Sequence, residues 1–226
     1  MTDRHSLETD QVVQQMKQLA ARYHAKRLIL FGSRARGDAG PGSDYDFALW
    51  GVPKDLRVSL RAGAEDIPSL LKLDLVFISD TVTPELLANI RKDEIVIMDK
   101  LESKLLNFKR ALTRLQDGLL QYEQNPWDIA RDGIIQRFEF TYELAWKAAR
   151  EYLMEQGFTD LNSPRSVLRQ AIACGLITGS EDWTALMEDR SSASHVYDEG
   201  LAVEIAGRIR DRHVKLFAEL LEKMAG

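Results

Sequence analysis

The chain has 226 residues, 45% hydrophobic and 29% charged, with a net charge of −5, a composition that excludes a disordered chain and suits one large globular domain or two small ones. Its single cysteine, Cys174, excludes an intrachain disulfide framework and a thiolate zinc site; the polar, acidic start MTDRHSLETD and the lack of any apolar run near the ~18 residues of a membrane span lead us to expect a cytoplasmic protein with no membrane partner. The net charge divides as −2 over residues 1–99 and −3 over residues 100–226, so neither half is a basic module for nucleic-acid backbone in general.

In chain order, residues 8–24 place Val12, Val13, Met16, Leu19, Ala20 and Tyr23 at helical spacing, and RLILF is a short apolar run suited to a buried strand. DFALWG, LDLVFI and EIVIM read as further strands. Before the last of them, Thr83 followed by Pro84 and Glu85 is a helix start, with the hydroxyl as cap and the proline in the first turn. After Asp99 strand signals stop. LESKLLNFKRALTRLQDGLLQY predicts one long helix, Asn125-Pro126 and Ser163-Pro164 predict two more starts, and Gly157 and Gly175 stand where helices end. The expectation is a small α/β domain, a mixed sheet with flanking helices, over residues 1–99, followed by an all-α helical bundle over residues 100–226. Cys174 is expected as a small core residue.

Between the first two strands lies FGSRARGDAGPGSDYDFAL, residues 31–49. Period two along a strand puts Asp44 and Asp46 on one face, and two carboxylates that close are costly unless a cation lies between them. Oxygen donors at that spacing suit Mg²⁺. A third acid, Asp74, interrupts the apolar run LKLDLVFI. Three acids on neighbouring strands suit two metal ions about 3.5 to 4 Å apart and in-line transfer at phosphorus. Ser33 and the backbone N–H groups after Gly32 would cradle nucleotide phosphates, glycine permitting the close approach. Without its context the Asp44/Asp46 pair would equally suit a solvated turn. Arg36, and less so Arg34, would neutralise triphosphate charge from the glycine-rich loop, and Trp50 belongs to the core or an interface.

Gly32-Ser33, ten residues, Asp44-x-Asp46 and a later strand acid together resemble the nucleotidyltransferase superfamily that includes DNA polymerase β, in the short form called minimal nucleotidyltransferases. The resemblance covers roughly residues 10–99. It implies a metal triad of Asp44, Asp46 and Asp74, nucleotide phosphates on Gly32, Ser33 and Arg36, Asp74 as general base, and transfer of AMP from ATP with release of pyrophosphate.

Farther on, GIIQRFEFTYELAWK, residues 133–147, carries Ile134, Phe138, Leu144 and Ala145 on one stripe, which Phe140, Tyr142 and Trp146 widen to a buried helix. DRSSASHVYDE, residues 189–199, crowds Arg190, His195 and Tyr197 together. On an ideal helix Arg190 and Tyr197 share a face while His195 stands about 140° away, so a common site needs a distorted turn or a second subunit. With SPRSVLRQAIACGLI, these segments resemble the helical nucleotidyltransferase substrate-binding proteins, a branch of the HEPN superfamily, over nearly all of residues 101–224. That resemblance implies the motif Arg-x4-His-x-Tyr at Arg190, His195 and Tyr197, and a homodimer that pairs two copies of it. It also implies either an RNA-cleaving toxin or a partner silenced by AMP on the motif tyrosine. Ser191 stands where the family often has Asn, which weakens the ribonuclease expectation and, with it, RNA as a partner. The leading expectation is therefore a Mg²⁺-dependent transferase fused to its partner, moving AMP from ATP onto Tyr197. The alternatives are a small-molecule hydroxyl as acceptor, as in the aminoglycoside nucleotidyltransferases, a ribonuclease regulated by the first domain, and an assembly protein with a dead site.

Overall fold

The computed structural model describes residues 7, 9–79, 82–193 and 198–226. Its contacts divide the chain into two compact units, Met1–Lys100 and Leu101–Gly226.

In the first unit, α1 (Gln11–Arg22) begins where Asp10 Oδ1 accepts from the N–H groups of Val12 and Val13, offsetting the unpaired donors of a helix N-terminus. Strands β1 (Arg27–Phe31), β2 (Tyr45–Trp50), β3 (Leu73–Ile78) and β4 (Ile95–Asp99) form one mixed sheet in the order β3-β2-β1-β4. β1 runs antiparallel to β2 and β4, and β2 parallel to β3. A short helix, α2 (Gly32–Arg36), follows β1; α3 (Arg57–Glu65) joins β2 to β3, and α4 (Pro84–Lys92) joins β3 to β4. Thr83 caps α4 through Leu86 N–H with Pro84 in the first turn. The alternation of side chains splits the sheet into two faces. Leu28, Leu30, Phe47 and Leu49 pack with Met16 of α1 and Leu60 of α3, while Ile29, Ala48 and Val76 pack with Ile90 of α4. Asp46 and Asp74 share the parity of Ala48 and Val76, which sets them on the α4 face.

Two differences from expectation arise here. Residues 32–36, read as part of a loop, are a helical turn, because Gly32 takes a left-handed φ of 73° and Gly37 closes the turn at φ 84°. α3 carried no signal strong enough to be read, its buried positions being only Leu60 and Ala64 while Val58 is exposed.

The second unit is helical: α5 (Lys100–Gln124), α6 (Asp128–Glu155), α7 (Pro164–Ala173), α8 (Ser180–Ser192), α9 (Glu199–Arg208), a π-helical turn (Ile209–His213) and α10 (Val214–Ala225). Phe108, Phe138, Trp183 and Phe217 meet in its core, with ring centroids 5.9 to 6.1 Å apart. Ser163 caps α7 in a reciprocal box with Ser166. Asn125 does not cap α6. That helix starts three residues later behind Trp127, because Trp127 N–H turns back to the Asn125 carbonyl. Phe140 is 58% exposed rather than buried, being on the α6 side away from Phe138. Cys174 is exposed as the cap residue after α7, its thiol 3.5 Å from Ala171 O, and the helix is held by Ala171 instead. Among the described residues no helix is long and apolar enough to cross a membrane.

Candidate functional site

The ladder between β2 and β3 sets Asp46 directly opposite Asp74, and Phe31, the last residue of β1, opposite Asp46. Gly32 follows at once, and a Cβ there would overlap Asp46 Oδ2, so only glycine lets the backbone lie against that carboxylate. Asp44 precedes β2, and its Oδ1 accepts from Lys72 N–H at 3.1 Å. Asp46 is held above the usual carboxylate range, first by burial and then by Asp74 and Asp44. These like charges therefore share one neighbourhood.

Two basic residues hold the surround. Arg34 donates through Nε and Nη2 to Ser43 O at 3.1 and 2.7 Å, and through Nε to Asp44 O at 3.2 Å, while its guanidinium lies 3.9 Å from the Tyr45 ring centroid. It thus ties α2 to the residues that lead into Asp44. Tyr45 O–H donates to Asp10 Oδ2 at 2.7 Å, and burial followed by that bond pushes its pKa to about 12. Arg36 is paired with Asp93 at 3.0 Å and with Asp38 at 3.1 Å. A phosphate on Arg36 must compete with both. Trp50 is half-buried, with the Arg27 guanidinium 5.8 Å from its ring.

As donors, Asp44, Asp46 and Asp74 are hard oxygen ligands suited to Mg²⁺, and the raised Asp46 marks a charge cluster that a cation would relieve. Asp46 and Asp74 also stand directly opposite each other across the β2–β3 ladder. Yet among the described residues no group of three His, Cys, Asp or Glu is arranged to hold a metal ion. Asp44 is turned to Lys72 N–H, and Asp74 Oδ1 lies 2.5 Å from Lys72 Nζ. Beside Asp74, a cavity of about 400 Å³ opens between α3 and the edge strand β3, lined by Arg61, Ile67, Leu71 and Lys72.

In the helical unit, Arg190 stands in the last turn of α8 and its Nη2 is 3.5 Å from Glu143 Oε1 of α6. It borders a cleft of about 1010 Å³ between α6, α7 and α8, lined also by Tyr142, Arg165, Arg169 and Met187. His195 and Tyr197 lie outside the described residues. The residue before Arg190, Asp189, is buried. Its carboxylate accepts Arg208 Nε and Nη2, each at 2.8 Å, and lies 2.7 Å from His213 Nε2. Burial raises the Asp189 pKa, but the bonds from Arg208 and His213 outweigh it and hold the carboxyl below its usual range. Burial lowers the pKa of His213 despite Asp189, so the neutral ring donates from Nε2, and Nδ1 is left as a buried acceptor with no partner among the described residues.

Residues 103–226 match the family model described as nucleotidyltransferase substrate binding protein like, and residues 14–103 match that of polymerase beta, nucleotidyltransferase. The chain belongs to the nucleotidyltransferase substrate-binding-like family. It joins that helical domain to a polymerase-β-type nucleotidyltransferase domain. A relative, the probable ribonuclease HepT of Haemophilus influenzae, is 30% identical over 129 residues, covering 51% of this chain and 87% of that one. A crystal structure from Thermus thermophilus is similar at 33% identity and TM-score 0.49 over 53% of this chain and 99% of that one. A second structure, from Haemophilus influenzae and described as revealing the fold of a substrate binding domain of a nucleotidyltransferase, is similar at 27% identity and TM-score 0.49 over 54% and 99%.

Lys72 and Asp189 were not singled out from the sequence, and Arg34, expected beside phosphate, is bonded to the Ser43 and Asp44 carbonyls instead. Lys72 carries a signal in hindsight, because it lies just ahead of β3 and two residues before Asp74, at a position of the same parity. Arg34 acts on backbone carbonyls, and Asp189 on residues 19 and 24 positions away, which no local pattern encodes.

Proposed function

We propose that this chain is a divalent-metal-dependent adenylyltransferase in which residues 1–99 move AMP from ATP to a hydroxyl, and Tyr197 in the chain's own helical domain, residues 100–226, is the acceptor. The observation that carries the reading is the register of Asp46 against Asp74 on parallel neighbours, with Gly32 lying against the Asp46 carboxylate.

In that reading the backbone N–H groups at Gly32 and Ser33 receive the β- and γ-phosphates, as oriented N–H groups bind anions. Asp44, Asp46 and Asp74 hold the metal, which supplies neutralisation of phosphate charge and activation of the hydroxyl. The sheet order puts Gly32 and Asp74 on opposite sides of Asp46. In-line displacement requires the attacking and leaving oxygens to be opposed in the same way. Asp74 then takes the proton of the attacking phenol as its oxygen bonds to the α-phosphorus, and the bond to the bridging oxygen breaks to release pyrophosphate.

Intact-mass spectrometry of the full chain before and after incubation with ATP and Mg²⁺ tests this. The expected result is a gain of one AMP per chain, absent in Asp44→Ala and in Tyr197→Phe. AMP recovered only on a small molecule, with Tyr197 unmodified, rejects the acceptor.

A second reading is favoured by the relative described as a probable ribonuclease and by the arginine-lined cleft at Arg190. It makes the helical domain an RNA-cleaving module. RNA degradation lost in His195→Ala and retained in Asp44→Ala supports that reading instead.

A further inference from the structure

Lys72 touches both outer acids of the cluster at once. Its backbone N–H is bonded to Asp44 Oδ1 at 3.1 Å, and its ammonium sits on Asp74 Oδ1. Asp46, between them, is in register with Asp74. The side chain of Lys72 is 70% exposed, so neither core nor neighbouring element forces it there. An ammonium and a divalent cation are drawn to the same carboxylate oxygens and repel each other, so they exclude one another from Asp74.

We propose that Lys72 is a built-in competitor of the metal, a tethered cation that neutralises Asp74 when no metal is bound and must be displaced for Asp44, Asp46 and Asp74 to close around one. The proposal rests on the reading of these acids as metal ligands and adds the residue that sets the metal concentration at which they assemble. Without a counter-charge, Asp46 and Asp74 would repel across the β2–β3 ladder. With one that is too strong, the metal would never enter. An exposed lysine pair lies between these limits, being weak enough for a divalent ion bound by three carboxylates to win.

The test is calorimetric titration of the nucleotide-free full chain with Mn²⁺ alone, comparing the natural chain with Lys72→Met, Lys72→Arg and Asp74→Asn. Lys72→Met keeps the stem and the backbone N–H while removing the charge, and is expected to bind Mn²⁺ about fivefold more tightly, the scale of one exposed ion pair. Lys72→Arg, which keeps the charge, is expected to match the natural chain, and Asp74→Asn to bind weakly. Unchanged or weaker affinity in Lys72→Met, with Asp74→Asn still impaired, overturns the competitor role and leaves the metal site standing. Equal affinity of Asp74→Asn and the natural chain overturns the metal reading itself. The rise in melting temperature on adding Mn²⁺ gives an independent readout: it is expected to be larger in Lys72→Met than in the natural chain, and an equal rise again overturns the proposal.

Discussion

Gly32 sits where backbone conformation and chemistry meet. Its φ of 73° is left-handed, a region that costs a residue with a side chain roughly 1 to 2 kcal/mol, and a Cβ there would strike Asp46 Oδ2. Alanine at this position therefore strains the turn and also pushes the central carboxylate off the ladder line. The expected outcome of Gly32→Ala is stability lowered by about 1 to 2 kcal/mol, read by urea denaturation, together with transfer of AMP reduced by about a hundredfold, the scale of a misplaced catalytic group. Loss of stability with transfer intact would show that the carboxylate is not placed by this contact. The Gly-Ser pair and the acids were legible because each breaks a local rule: a glycine and serine directly after an apolar strand, and acids inside or beside apolar runs. Lys72 breaks none, since a lysine just ahead of an edge strand is ordinary surface.

At the scale of elements, the strands and most helix boundaries were legible because hydrophobic period and caps are local. Ser163 with Pro164 and Thr83 with Pro84 are caps of this kind. Asn125 failed as one because cap geometry depends on the next residues in the chain, here Trp127. The π-helical turn at Ile209–His213 was not legible, since its cause lies in another element: it brings His213 to Asp189 of α8, 24 residues earlier, and against Phe138 of α6 at 5.3 Å between rings. That pairing has a pH signature. His213 is 1% exposed and its pKa is lowered from 6.5, chiefly by burial. As pH falls below that unfolded value, the unfolded chain takes up a proton that the folded chain refuses, so stability declines on acidification. The limiting slope is about 1.4 kcal/mol per pH unit for one proton. Asp189 adds to the loss only at lower pH: its folded pKa is depressed, so its contribution holds above the unfolded carboxylate value of 3.8. His213→Gln keeps an N–H for Asp189 but cannot titrate. Denaturation midpoints between pH 7 and pH 5 are expected to fall less steeply in this variant than in the natural chain. Parallel slopes would mean that His213 titrates alike in both states.

For the whole molecule, the decisive feature is that a transferase domain and a substrate-binding-like domain share one chain. If the acceptor is carried by that chain, its concentration at the transferase is fixed by the tether rather than by the solution. Linked modules meet at effective concentrations on the order of millimolar, far above a micromolar assay. AMP transfer onto Tyr197 is therefore expected to be first order, with a half-time that stays constant as the protein is diluted about a hundredfold from micromolar levels. Intact-mass spectrometry of timed samples at each dilution measures it directly. A half-time that lengthens in proportion to dilution would put the acceptor on another molecule. Mixing Asp44→Ala chains, which keep Tyr197, with Tyr197→Phe chains, which keep the acids, separates these cases further: transfer confined to one chain leaves both variants unlabelled. Label on the Asp44→Ala chains instead requires a transferase in one copy to reach the tyrosine of another. That is the arrangement a dimer would provide, and it would also hold the half-time constant until dilution separates the copies. The two experiments together distinguish an acceptor in the same chain from one in a stable partner copy and from one met by collision.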